Sequence, residues 1–233
     1  MRRIKRRRTA VRWLAAMPVA AVVALTVTGC SQPQIGAAAL YGSQRISARQ
    51  LADEVANLST AYQAYKSKLQ IRYTPAEMPR KVLSWMLEFA TYDQIAASDG
   101  IHVSKTQALA QETAVARQAS QAGDTLHEVA VLAGLPPNML PQVGHWLAIR
   151  AVLERQLTGG VAPRTQAAAT ALQVKVIHME CLAAKGMNIR VNPQFGAFDY
   201  GQFIVVAAPQ SLSATGGAGG ASPAPAPQLT PAC

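Results

Sequence analysis

Ala37-Ala38-Ala39-Leu40-Tyr41-Gly42-Ser43-Gln44-Arg45-Ile46-Ser47-Ala48-Arg49-Gln50 is the stretch on which the fold turns. Gly42-Ser43 is a Gly-X pair of the kind that closes a tight hairpin, so Ala37 to Ile46 reads as two short strands around it. Ser47 and Gln50 then make a capping-box pair, in which a hydroxyl and a side-chain amide satisfy backbone N–H groups at a helix start. Leu51, Val55, Leu58, Tyr62, Tyr65 and Leu69 follow at spacings of three and four and share one helix face. A short hairpin is marginal by itself, so these strands need a partner strand or a packed helix.

Outward from this start the chain is punctuated as a series of helices. Thr74-Pro75-Ala76-Glu77 opens the second with another capping box, and Gly100 ends it. Pro79 leaves the starting residue open, because a proline inside an established helix would break the ladder. A third helix opens with Ser104 and Gln107, a fourth follows Asp124 and closes at Gly134, and a fifth follows Asn138 and stops at Gly159-Gly160. A sixth spans Thr165 to Lys185 and ends at Gly186. Its β-branched run Val174-Lys175-Val176-Ile177 keeps a strand alternative open, and length favours helix. Ile189 to Val191 and Phe203 to Val206 read as short strands around Asn192-Pro193. The expected fold is mostly α, with a small β element formed by the N-terminal hairpin and the C-terminal strands.

Composition agrees with that class. Half of the 233 residues are apolar and 15% are charged, which suffices for one globular core, and aromatics at 6% point to an alanine-rich helical protein. The net charge of +10 misleads, because Arg2, Arg3, Lys5, Arg6, Arg7, Arg8 and Arg12 crowd the first twelve residues. The remaining charges are scattered and no basic run is interleaved with aromatics, which argues against nucleic acid as a partner.

Those basic residues precede an uncharged stretch, Trp13 to Val27, and then Val27-Thr28-Gly29-Cys30. This is the pattern of an export signal, and its apolar part would rise only about 22 Å as a helix, short of the ~30 Å hydrocarbon core. Val27-Thr28-Gly29-Cys30 resembles the lipobox of bacterial lipoproteins. The resemblance implies acylation of Cys30, removal of residues 1–29 and attachment to the extracytoplasmic face of a membrane. Residues 30–36 are then a lipid-anchored spacer and 37–210 the folded domain. From 211 to 233 the chain is uncharged and rich in Gly, Ala and Pro, a tail that cannot bury a core.

The order of parts carries a second resemblance. A lipobox, an alanine-rich hairpin, a Ser-initiated helix, further helices and then Val191-Asn192-Pro193-Gln194-Phe195-Gly196-Ala197-Phe198-Asp199 together resemble the SurA N-terminal-like lipoproteins of actinobacteria, relatives of the SurA, PrsA and trigger-factor chaperones. The resemblance implies a helical module whose two ends meet, and a role in cradling unfolded or exported polypeptides. Chaperones of the SurA and PrsA type insert a parvulin prolyl isomerase before the last helix of this module. Here only Thr158-Gly159-Gly160-Val161-Ala162-Pro163-Arg164 occupies that place, too little for a domain of roughly 50 residues or more. The resemblance therefore favours the binding module without the enzyme.

Catalytic signatures are missing: there is no Gly-x-Ser-x-Gly, no P-loop, no His-Glu-x-x-His and no Cys-x-x-Cys. No cofactor or metal is expected. His178 and Cys181 share a helix face, which offers two metal ligands or an activated thiol but no third group; a buried structural cysteine is the simpler reading. Cys181 and Cys233 are an alternative pair for a disulfide after export. Met78, Trp85, Met86 and Phe89 in the second helix, with Met139, Trp146 and Ile149 near the fifth, are large or adaptable groups that serve either as core or as a binding surface. Trp85, Met86 and Trp146 are taken as the candidate peptide-binding residues. A chaperone predicts an open apolar cradle, an adaptor for one folded partner a flatter patch, and a small-ligand carrier a closed pocket.

Overall fold

A computed structural model describes residues 36–69 and 71–208. The leader 1–29, Cys30, most of the spacer, the tail 211–233 and Cys233 lie outside the described residues. The chain is mostly helical with a few small antiparallel strands. Its order is β1 (Ala37–Tyr41), β2 (Gln44–Ser47), α1 (Ala48–Tyr65), α2 (Glu77–Ser98), α3 (Lys105–Gln121), α4 (Leu126–Leu132), α5 (Leu140–Leu157), α6 (Gln166–Met187), β3 (Arg190–Val191), β4 (Ala197–Asp199) and β5 (Ile204–Val206).

The hairpin forms as expected. Tyr41 pairs with Gln44 across the two-residue loop, and Gly42 supplies the positive φ of 53° that its first central position requires. Ser47 caps α1 by accepting from the Gln50 N–H at 3.0 Å. The helix stops at Tyr65, so Leu69 lies beyond it yet still packs on the core. In α2 the Glu77 carboxylate accepts from both the N–H and the hydroxyl of Thr74, and the helix begins at Glu77. Pro79 therefore falls in the first turn, where its missing N–H has no ladder partner to lose.

Both capping boxes of α3 and α4 are complete, the second built on Thr125 and Glu128 rather than on Asp124. Lys68 reaches across to Glu128 at 3.0 Å, and the Thr125 backbone bond with this lysine holds the Glu128 carboxyl down to about 2. Asn138 does not cap α5. It sits in a 3-10 turn, Pro137–Met139, and donates to Glu54 of α1 at 2.8 Å. Gly144 lets α5 close on α3, since a Cβ there would stand 2.5 Å from the Ala108 carbonyl oxygen. The run Val174–Ile177 is helical, and α6 passes through Gly186 to end at Met187, capped by Asn188 at the left-handed φ of 49°.

One core unites the elements, and α2 is its axis. Val82, Leu83 and Leu87 of α2 are fully buried with Leu51 and Leu58 of α1 and Val131 of α4. A smaller cluster of Tyr92, Ile95, Ile101, Ile149 and Leu153 joins α2 to α5. The C-terminal segment returns to the start of the domain. β3 pairs antiparallel with β1 to make a three-stranded sheet of order β2-β1-β3, and Asn192 donates its N–H to the Ala38 carbonyl at 2.8 Å and its side-chain amide to the Ala37 carbonyl at 3.1 Å. β4 and β5 pair only with each other, and Phe203 precedes the strand at φ 57° rather than belonging to it. The Val205 N–H donates to Ser84 of α2 at 2.8 Å, which seats this second hairpin on the core.

Asn192→Ala removes the side-chain bond that closes the sheet and leaves the Ala37 carbonyl short of a partner. A loss of about 1–2 kcal/mol is expected, read as a lowered urea midpoint with an unchanged slope.

Candidate functional site

An open cleft of about 590 Å³ lies between the β1–β2 turn, α2 and the start of α5. The elements bring its residues together from distant parts of the chain. The turn contributes Tyr41 to Ile46, α1 contributes Gln50 and Glu54, and α2 contributes Met86, Phe89, Ala90, Asp93, Gln94 and Ala97. Pro141, Gln142, His145 and Trp146 come from α5, with Met139 before it and Met187 from the end of α6. Three methionines and a phenylalanine, all core side chains no more than 8% exposed, thus lie at the base of one cavity with the half-buried Trp146 indole, and glutamines rim it. Methionine's unbranched thioether adapts to differently shaped apolar partners, and the glutamine amides offer both donors and acceptors. The Asp93 carboxylate faces His145 Nε2 at 3.4 Å; burial raises the Asp93 carboxyl, and the histidine partly offsets this. A second cleft, of about 620 Å³ between α3, α5 and the Thr158–Pro163 loop, has alanines, Glu154 and Arg155 on its walls and no aromatic or methionine.

The three residues singled out from the sequence separate. Met86 and Trp146 line the cleft. Trp85 does not: its indole donates to the Ala133 carbonyl at 3.1 Å, and its ring borders a smaller depression of about 370 Å³ beside Phe203 and Val205. Trp85 is coupled to the site indirectly, because its ring meets that of Trp146 edge-on at 5.8 Å and 83°. Trp146 is also edge-on to Tyr92 at 5.8 Å and 88°, and among the described residues its buried indole nitrogen has no hydrogen-bond partner. Met78 and Ile149 are core residues, 7% and 1% exposed.

Behind the cleft a polar cluster ties α2 to α5 and α6. The Tyr92 hydroxyl donates to the Glu180 carboxylate, and Arg150 donates to Glu154 at 2.9 Å and to Gln173 at 2.7 Å. Burial first and the Glu180 carboxylate second push the Glu88 carboxyl up to about 7, with Arg150 opposing. Tyr92 is raised by burial and by the same carboxylate. This cluster has no sequence signature beyond Glu88 and Tyr92 standing one turn apart, since Glu180 arrives from a distant helix.

The His178 and Cys181 pair does not form a site. Cys181 is 3% exposed and disulfide-bonded, while His178 is exposed. Among the described residues no group of three or more His, Cys, Asp or Glu could hold a metal ion, and no helix is long and apolar enough to cross a membrane.

In three comparisons with known proteins, the chain matched no family model, no curated protein and no solved structure. The functional reading accordingly rests on the sequence pattern and the geometry of the cleft.

The Glu88 carboxyl gives this region a pH dependence. The folded chain keeps its proton up to about 7, whereas the unfolded chain releases it near 4.5, so stability falls as pH rises through that window. Glu88→Gln is expected to flatten the fall and to raise stability at pH 8 by roughly 1–3 kcal/mol. Urea unfolding of both proteins at pH 5 and pH 8 measures it.

Proposed function

We propose that the protein is a membrane-tethered extracytoplasmic lipoprotein that holds unfolded or exported polypeptides without covalent chemistry and without prolyl isomerisation. The observation that carries this reading is the open cleft between the hairpin, α2 and α5, with core methionines and aromatic rings at its base. An opening of this kind suits partners of varied shape, because polarisable, flexible side chains repack around different apolar groups. Its charged wall groups, Arg45 with Glu54 and Asp93, are few and of both signs, which offers little to a strongly charged ligand. The short linker 158–164 supports a module that has no inserted catalytic domain.

The anchor supplies the setting. Residues 31–36 between Cys30 and β1 span about 20 Å at full extension, so acylation at Cys30 holds the domain close to the bilayer. A chaperone so placed meets polypeptides as they emerge from export. Two acyl chains or more make such tethering durable, where one is marginal.

The tether is tested by Cys30→Ala, which is expected to abolish acyl labelling and to move the protein out of the membrane fraction. The binding role is tested with the full-length protein in phosphatidylcholine nanodiscs, added to a denatured test protein whose aggregation is followed by light scattering. Wild type is expected to slow aggregation at near-stoichiometric ratios and empty nanodiscs to leave it unchanged. Ala97→Glu places a charge on the exposed wall of the cleft and is expected to weaken suppression severalfold with unchanged helical content. No suppression by wild type, together with tight binding to one folded envelope protein, replaces this reading with that of an adaptor.

A further inference from the structure

Cys181 of α6 is engaged in a disulfide and is 3% exposed. The chain holds two other cysteines, Cys30 and Cys233, and both lie outside the described residues. Chemistry separates them first, since acylation at Cys30 turns that thiol into a thioether, which has no S–H left to oxidise. Geometry points the same way. The Cys181 sulfur stands 3.7 Å from the Tyr200 carbonyl oxygen, so its side chain faces the turn between β4 and β5, the segment that leads into the C-terminal stretch. A disulfide holds its two Cα atoms within about 7 Å of each other. From Ala208 the chain has 25 residues in which to bring Cys233 back to that point, a reach of about 80 Å at full extension. Cys30 has a reach of only about 20 Å to Gly36, and Gly36 lies at the far end of β1 from Gly42, whose N–H donates to Met187 of α6.

We propose that the partner of Cys181 is Cys233, in a disulfide made after export that fastens the C-terminal stretch to α6 and leaves Cys30 to the acyl chains. The inference rests on the lipoprotein reading above in one respect, the fate of Cys30. The bond requires an oxidant, and an exported thiol–disulfide oxidoreductase supplies it. The Cys233 thiolate attacks one sulfur of the oxidant's disulfide, and the other sulfur of the oxidant leaves as a thiolate. Cys181 then attacks the Cys233 sulfur and displaces the oxidant, which ends as a dithiol. The two thiols of the chain have thereby given up two protons and two electrons. Cys181 is buried in the folded domain, so this exchange precedes the completed pairing of β3 with β1. The covalent ring from Cys181 to Cys233 contains β3, β4, β5 and Asn192. It therefore includes every residue through which the far end of the chain bonds to β1.

The sequence also supplies the test. The full-length protein is purified from the membranes of cells that export it, with N-ethylmaleimide present throughout, then unfolded and digested with trypsin without reductant. Cleavage at Lys175, Lys185 and Arg190 places Cys181 in the peptide Val176–Lys185 and Cys233 in a peptide that begins at Val191. Mass spectrometry is expected to find these two as one linked species that separates on reduction. The peptide that holds Cys30 and ends at Arg45 is expected to carry the acyl mass and no link. Cys233→Ser is expected to leave Cys181 open to one maleimide in urea, whereas wild type takes up none at Cys181 until it is reduced. The wild-type peptide map stands even if that variant misfolds. Cys181 linked to the Cys30 peptide overturns the pairing and the lipoprotein reading together. Cys181 carrying maleimide in the wild-type protein, or linked to Cys181 of another copy, overturns the pairing while acyl mass on Cys30 keeps the lipoprotein reading in place. A Cys181–Cys233 link without acyl mass on Cys30 upholds the pairing and overturns the anchor.

Discussion

The pairing of β3 with β1 is the closure on which the rest of the domain depends. It joins residues about 150 positions apart in the chain, through the Leu40–Arg190 and Ala39–Val191 pairs and the two bonds from Asn192. Closing so long a loop is entropically unfavourable, and the favourable side must come from what closure buries. It buries Ala37, Ala38 and Ala39, whose small side chains let the sheet lie against the helices, and it brings Met187 and Ile189 into the core. The hairpin at the start of the domain is therefore stabilised by the last fifth of the chain.

Closure acts through α2. This helix meets α1, α5, α6 and β5 on its different sides, which is why ten of its residues are buried and why its amphipathic pattern is broad. A helix surrounded in this way must accommodate polar groups away from water. Ser84 and Thr91 bond to the carbonyls four residues back, and the Tyr92 hydroxyl is met by Glu180. Glu88 is the exception, with a carboxyl that retains its proton close to neutral pH because burial and a second carboxylate oppose ionisation. The seam between α2 and α6 is thus the part of the fold where electrostatics and packing disagree most.

The cleft is a by-product of the same arrangement. The β1–β2 turn stands over the C-terminal half of α2, α5 approaches from the other side, and the side chains between them do not fill the gap. The methionines at its base, Met86, Met139 and Met187, belong to the buried core, and the glutamines stand at its rim.

Local features were legible in the sequence wherever the physics is local. Gly42 sets the hairpin, and Ser47, Ser104 and Thr165 each accept the N–H that starts a helix, because turn geometry and capping involve residues at most four apart. The mostly helical class and the six α-helices of the described residues follow from such signals together with apolar periodicity. Helix ends were less legible: Tyr65 and Met187 close α1 and α6 at points chosen by packing, and β4 has no signal apart from its pairing with β5. The site divides along the same line. Met86 and Trp146 stood out as large adaptable groups, but only the tertiary structure placed them in one cavity, turned Trp85 away to the Ala133 carbonyl, and added Met187. The sequence by itself determined which segments become helix or hairpin, since those choices depend on near neighbours. The structure alone decided which faces meet and which stay open, because the arrival of Met86 and Met187 at one cleft, or the bond between Tyr92 and Glu180, is a property of closure and leaves no periodicity in either segment.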